Sequence, residues 1–280
     1  MRRLAVRTLH TALTALMLFA TPVVAGDAEA APLSGDGLYE WQSGDCENGF
    51  AIFKRRATQG EAGPQILIAE LYRKGVRCVP KDLVKSIYWY RKAAGQGDAE
   101  AQGNLGEMYR IGEGVPQDWS IAGQWYRRAA ELGDVTSQYS LGLMFHMGKG
   151  VPKDDAKAVH WYGKAAEQGH TDAQYNLAHK YADGKGVPTD NAKAVYWYRK
   201  AAEQGHTMAQ SNLGLQYEYG AGVPKNYVQA YAWQSIAADQ GNEIAKESLG
   251  IVEAMLTPQQ IAEAQKLASE YWKKYVVPFQ

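Results

Sequence analysis

Six histidines (10, 146, 160, 170, 179 and 206) and two cysteines (46 and 78) are the residues best suited to ligate a metal or attack a substrate. Such chemistry needs several groups held at motif spacing. The chain contains no HExxH, GxSxG or SxxK arrangement and no phosphate-binding glycine loop. His170 and His206 occupy a position that Asp98, Asp134 and Asn242 also occupy, which marks a junction residue more than a ligand. His146 and His179 fall on neighbouring helices, too few for a metal site. The expectation is a chain with no catalytic residue, no metal and no cofactor, and so not an enzyme. Charge narrows the partners. Formal net charge is zero, and without Arg2, Arg3 and Arg7 the remainder carries three more acidic than basic side chains. No basic field is present to hold nucleic acid or an anionic membrane.

The elements that carry these residues repeat. Prolines 80, 116, 152, 188 and 224 fall 36 residues apart, followed in step by Asp82, Asp118, Asp154, Asp190 and Asn226. Gly97, Gly133, Gly169, Gly205 and Gly241 keep the same interval. A fixed period of this length means stacked helix–turn–helix units. In the first helix, Ala101, Leu105, Gly106 and Tyr109 share one face of a 3.6-residue helix. Glycines at 106, 142, 214 and 250 suggest close helix crossings, since a helical glycine costs about 1 kcal/mol against alanine. Gly112 and Gly114 end that helix, and Asp118 is an N-cap candidate for the next. In the second helix Ala122, Trp125, Tyr126, Ala129 and Ala130 form the core face. The Trp–Tyr stripe is therefore read as packing and not as a ligand box.

Both ends depart from the period. Residues 1–25 read as a secretory signal, with Arg2 and Arg3 before an apolar stretch and small residues at a cut after Ala25 or Ala30. Residues 26–44 read as a loose leader and 45–62 as a degenerate half-repeat. Full units follow at 63–98, 99–134, 135–170, 171–206 and 207–242, then a partial repeat and capping helix at 243–280. Thr257-Pro258-Gln259-Gln260 has the capping-box arrangement. Stacking makes the start of the half-repeat helix a neighbour of the next unit's loop, so Cys46 and Cys78 are expected to form a disulfide in an oxidising compartment, with a redox switch as the alternative.

The pattern AQxNLGxxYxxGxGVPxDxxKAxxWYxKAAEQG closely resembles the Sel-one-like repeat family, relatives of the tetratricopeptide repeats, over residues 64–242. The resemblance implies an all-α, right-handed α/α solenoid of about five repeats. It implies a protein–protein adaptor that binds another envelope protein or a peptide on its concave face. Export to the periplasm or beyond, no membrane insertion after signal cleavage, and a monomer are expected with it. A cysteine-rich branch of the family is linked to β-lactam or peptidoglycan binding and hydrolysis. This chain departs from it, having one cysteine pair and not one in nearly every repeat. A structural spacer in an exopolysaccharide or envelope assembly is the other alternative.

Helix rotation turns four first-helix rows away from the expected core: Asn104, Ser140, Asn176 and Asn212; Glu107, Leu143, His179 and Leu215; Met108, Met144, Lys180 and Gln216; and Ile111, Met147, Asp183 and Tyr219. Leu143, Met144 and Met147 place apolar side chains where a solvated face would be polar, the mark of a partner site. The asparagines are suited either to bonding a peptide backbone or to tying neighbouring repeats together.

Overall fold

The structure, a computed structural model, describes residues 37–279. The expected signal at 1–25 and the first part of the leader lie outside the described residues. The described helices fall into two compact units divided between Leu132 and Gly133. Unit 1 holds α1 (Leu38–Ser43), α2 (Cys46–Thr58), α3 (Ala62–Lys74), α4 (Leu83–Gly95), α5 (Ala99–Ile111) and α6 (Trp119–Glu131). Unit 2 holds α7 (Val135–Met147), α8 (Asp155–Glu167), α9 (Thr171–Asp183), α10 (Asn191–Ala202), α11 (Thr207–Tyr219), α12 (Tyr227–Asp239), α13 (Glu243–Glu253) and α14 (Pro258–Tyr275), closed by a 3-10 turn at Val277–Phe279. The fold is an all-α tandem repeat of the α/α solenoid class, in which helices pack on those before and after them within a unit, except that α14 reaches back past α13 to pack on α12.

Each repeat is punctuated by side-chain caps. Asp82, Asp118, Asp154, Asp190 and Asn226 accept from the N3 backbone N–H of the second helices. The first helices are capped in the same way by Asp98, Asp134, His170, His206 and Asn242. Such a cap contributes about 1 kcal/mol. Thr257 and Gln260 complete the capping box of α14.

Gly106 and Gly142 let the second-helix tyrosines lie against the first helix. A Cβ there would stand 2.7 Å from the Tyr126 ring or 2.6 Å from the Tyr162 ring. Gly250 departs from this expectation, with no neighbour within 4 Å of where its Cβ would be. The helix that follows it does not keep the repeat and brings no aromatic ring over it.

The leader is the other departure. Residues 38–43 form α1 and bury Trp41 against Phe53, ring centres 5.8 Å apart. Arg77 reaches over the Trp41 ring and donates to its carbonyl at 2.5 Å. A six-residue helix is too short to show periodicity, so composition alone suggested a loose segment. The Cys46–Cys78 disulfide is formed, with Cα atoms 6.0 Å apart. It ties the start of α2 to the loop between α3 and α4.

Candidate partner-binding surface

The four first-helix rows divide by burial. Met108, Met144 and Lys180, expected on an exposed ridge, are in the interior at 0%, 1% and 5% exposure. The reason is the width of the buried arc. The first helices α5, α9 and α11 each pack on the second helix before them as well as on their own, and Lys180 is held in by Asp155 on that preceding helix. The notion that Met144 completes an exposed Leu/Met patch is corrected accordingly. Gln216 is half-buried.

The row ending the first helix stays outside. In unit 2, Met147 and Tyr219 are 45% and 67% exposed, with Asp183 exposed between them. Leu143 and Leu215, one turn earlier, are half-buried and His179 is exposed. In unit 1 the counterpart Ile111 is exposed and Asn104 half-buried. Asn176 lies close enough to Tyr139, and Asn212 to Tyr175 and Tyr198, to favour the ionised phenol, against the upward push of burial. Tyr139 and Tyr175 lie on the preceding first helices and Tyr198 on the second helix between, so in unit 2 the asparagine row ties repeats together.

Lys180 occupies a core position through its partners. Its ammonium donates to Asp155 Oδ1 at 2.5 Å and lies 2.9 Å from His146 Nδ1. Lys180 holds the Asp155 carboxyl below the usual carboxylate range, opposed by desolvation and helped by His146. A buried ammonium needs such pairing. Helix position alone could not reveal it, because Asp155 and His146 lie on other helices.

Beneath the rim, the second-helix tyrosines meet different residues in the two units. Tyr90 hydroxyl donates to Glu70 Oε1, and Tyr126 hydroxyl to Glu107 Oε2 at 2.7 Å. Arg110 binds Glu107 at 2.5 and 2.6 Å and keeps its carboxyl ionised below the ordinary range; desolvation opposes this and Tyr126 adds to it. In unit 2 Leu143 holds the repeat position of Glu107, and the buried Tyr162 hydroxyl has no hydrogen-bond partner.

His170 and His206 are N-caps, each accepting a backbone N–H at Nδ1 (3.3 and 3.1 Å). They stack on Tyr139 and Tyr175, with ring centres 4.4 and 4.6 Å apart. Burial pushes both imidazoles below their ordinary pKa, against the pull of Asp172. Among the described residues no cluster of three or more His, Cys, Asp or Glu could hold a metal, and no helix is long and apolar enough to cross a membrane.

A helix-pair repeat with a packed interior and an exposed, variable first-helix rim defines a repeat scaffold. Residues 65–98, 99–134, 135–170, 171–206 and 207–242 each match the Sel1 repeat. The chain belongs to the Sel1 repeat family. A Sel1 repeat protein from Oxalobacter formigenes is 32% identical, with a TM-score of 0.71 over 84% of this chain and 98% of its own. A protective antigen of uropathogenic Escherichia coli with an SLR fold is 31% identical, with a TM-score of 0.57 over 86% of this chain and 60% of its own. A component of an ERAD-associated E3 ubiquitin-protein ligase, HRD3A of Arabidopsis thaliana, is 31% identical over 71 residues. That match spans 25% of this chain and 10% of the curated relative's length. Sel1 repeats generally serve as scaffolds for protein–protein interaction.

Proposed function

We propose that the protein is a non-enzymatic adaptor of the bacterial envelope that holds a partner protein or peptide along the first-helix rim of unit 2. The observation that carries this reading is the row that remains outside the core. Met147 and Tyr219 expose apolar surface one turn beyond Leu143 and Leu215, where a row without a partner would be polar. His179 and Asp183 supply polar contacts in the repeat between them. Lys180, Asn176 and Asn212 hold the rim in place from below or between helices. Ile111 and Asn104 form the corresponding rim of unit 1. Export is supported by the Cys46–Cys78 disulfide, which persists in oxidising compartments.

The test is affinity capture from envelope extract with the full-length protein and with a Leu143→Gln/Met147→Gln/Tyr219→Gln variant whose helix content is checked by circular dichroism. Loss of the main captured protein is expected. Capture of the same protein in the same amount by both would remove this rim as the binding surface.

A further inference from the structure

In unit 2 the groove beside consecutive second helices is filled by the chain itself. Helix α14 lays Tyr271 against α12, its hydroxyl donating to Gln229 Oε1 at 2.8 Å and its ring 4.4 Å from that of Trp233. Tyr271 also feels the charge of Arg199 on α10 and Tyr217 on α11, a pair joined at 2.6 Å. Beyond it, Lys274 faces Glu203, and the chain end closes over Gly205, where a Cβ would stand 3.1 Å from the Phe279 ring.

Unit 1 carries the same pair three periods earlier: Arg91 on α4 donates to the Tyr109 hydroxyl of α5 at 2.8 Å. Among the described residues no helix covers it. An open pocket of about 590 Å³ lies there, walled by Val84, Ile87, Tyr88 and Val115 with Arg91 and Lys92 at its side. Val84 is 77% and Tyr88 52% exposed. The pocket lining contains no carboxylate, and α4 itself bears three cations and no acid.

We propose that this groove of unit 1 is a second docking surface, and that its occupant is an amphipathic helix of a partner protein that sets an aromatic ring on Val84, Ile87 and Tyr88 and carboxylates against Arg91 and Lys92. The seat of α14 on α12 gives the precedent for a helix that sets a tyrosine beside an Arg–Tyr pair; the counterpart of Tyr88 there, Tyr196, stays 52% exposed, so the apolar wall of unit 1 is an addition to that seat. Lys85 is paired with Asp82, and the positive charge of Arg91 and Lys92, with no carboxylate in the lining, supplies the sign of the partner. Helix-in-groove recognition of this kind reads aromatic anchors at helical spacing, and complementary charge sets specificity and association rate. The surface is separate from the first-helix rim and stands on different residues.

The probe is a fluorescein-labelled peptide of residues 258–279 with Lys266, Lys273 and Lys274 changed to glutamate, titrated into the full-length protein and followed by anisotropy. Saturable binding is expected, weakening with added salt and at least tenfold weaker in Arg91→Glu/Lys92→Glu and in Val84→Asp. All three positions lie on the outside of α4, and a Leu143→Gln/Met147→Gln variant should bind normally. Three results would each overturn the proposal: no saturable binding up to about 1 mM peptide, binding that the α4 variants leave unchanged, or equal binding of the unmodified basic peptide. The second would mean that the probe had displaced α14 in unit 2. The third would point to a second copy of this chain and not to an acidic partner.

Discussion

In unit 1 the second-helix tyrosines end on carboxylates, Tyr90 on Glu70 and Tyr126 on Glu107. In unit 2 Tyr162 ends on nothing, because Leu143 stands where the carboxylate would be. Leaving a buried hydroxyl unpaired costs about 1–3 kcal/mol. Unit 2 thus gives up a hydrogen bond at the position where its rim becomes apolar. The ends differ as well. Unit 1 is pinned by a covalent bond at its most degenerate end, unit 2 by an amphipathic helix that stacks Tyr271 and Tyr275 on Trp233. The difference teaches that Gly106–Tyr126 and Gly142–Tyr162 keep the same close crossing while the residue available to the hydroxyl varies.

Breaking the disulfide should show the largest effect and confine it to one unit. The two cysteines are 32 residues apart, and in the chain-entropy account a loop of that length contributes about 3–4 kcal/mol. A Cys46→Ser/Cys78→Ser variant is expected to lose amide-exchange protection in α1–α3 while α12–α14 keep theirs. Equal loss at both ends would mean that the two caps do not act independently.

The tyrosine contrast can be tested by removing one oxygen at a time. Tyr126→Phe leaves Glu107 without its second donor. Glu107 is only half-buried and retains Arg110, so the expected loss is discounted to about 1 kcal/mol. Tyr162→Phe removes a hydroxyl that has no partner, and its stability should be unchanged or slightly raised. Denaturant melts of the two variants settle the comparison. An equal loss from both would show that Tyr162 finds a partner, such as a water, in solution.

Much of this was legible because the repeat writes local rules many times over. Asp118 and its counterparts are caps, Gly106 and Gly142 mark crossings, and Cys46 and Cys78 meet, as spacing and stacking imply. What escaped depends on third parties. Met108 and Met144 lie on the flank of the helical wheel, where the wheel alone does not decide between rim and interior. Lys180 is held inside by residues on two other helices. The buried glutamines show the same dependence. Gln65, Gln138, Gln174 and Gln210 each accept from a glutamine at the end of a second helix. Leu132 stands at that helix end for Gln102, whose Oε1 is left without a partner. A missing rung is visible only once the ladder is known.

The smallest expected effect separates the units by pH. Asp98 caps α5 in unit 1 with a carboxylate, whereas α9 and α11 in unit 2 are capped by His170 and His206. An imidazole Nδ1 accepts a backbone N–H only while it is unprotonated. Burial lowers both folded-state pKa values below 6.5, with Asp172 opposing it. The folded protein therefore favours the neutral rings. The stability they contribute is present above the unfolded value of about 6.5 and is lost as pH falls from there through the folded values. Between about pH 7.5 and 5.5, amide exchange at the starts of α9 and α11 should accelerate, corrected for intrinsic rate, while the start of α5 holds. Asparagine fills the same position at residue 242, so His170→Asn/His206→Asn should keep the caps and flatten the pH response. An unaltered response in that variant would show that the two histidine caps are not the source of the pH sensitivity.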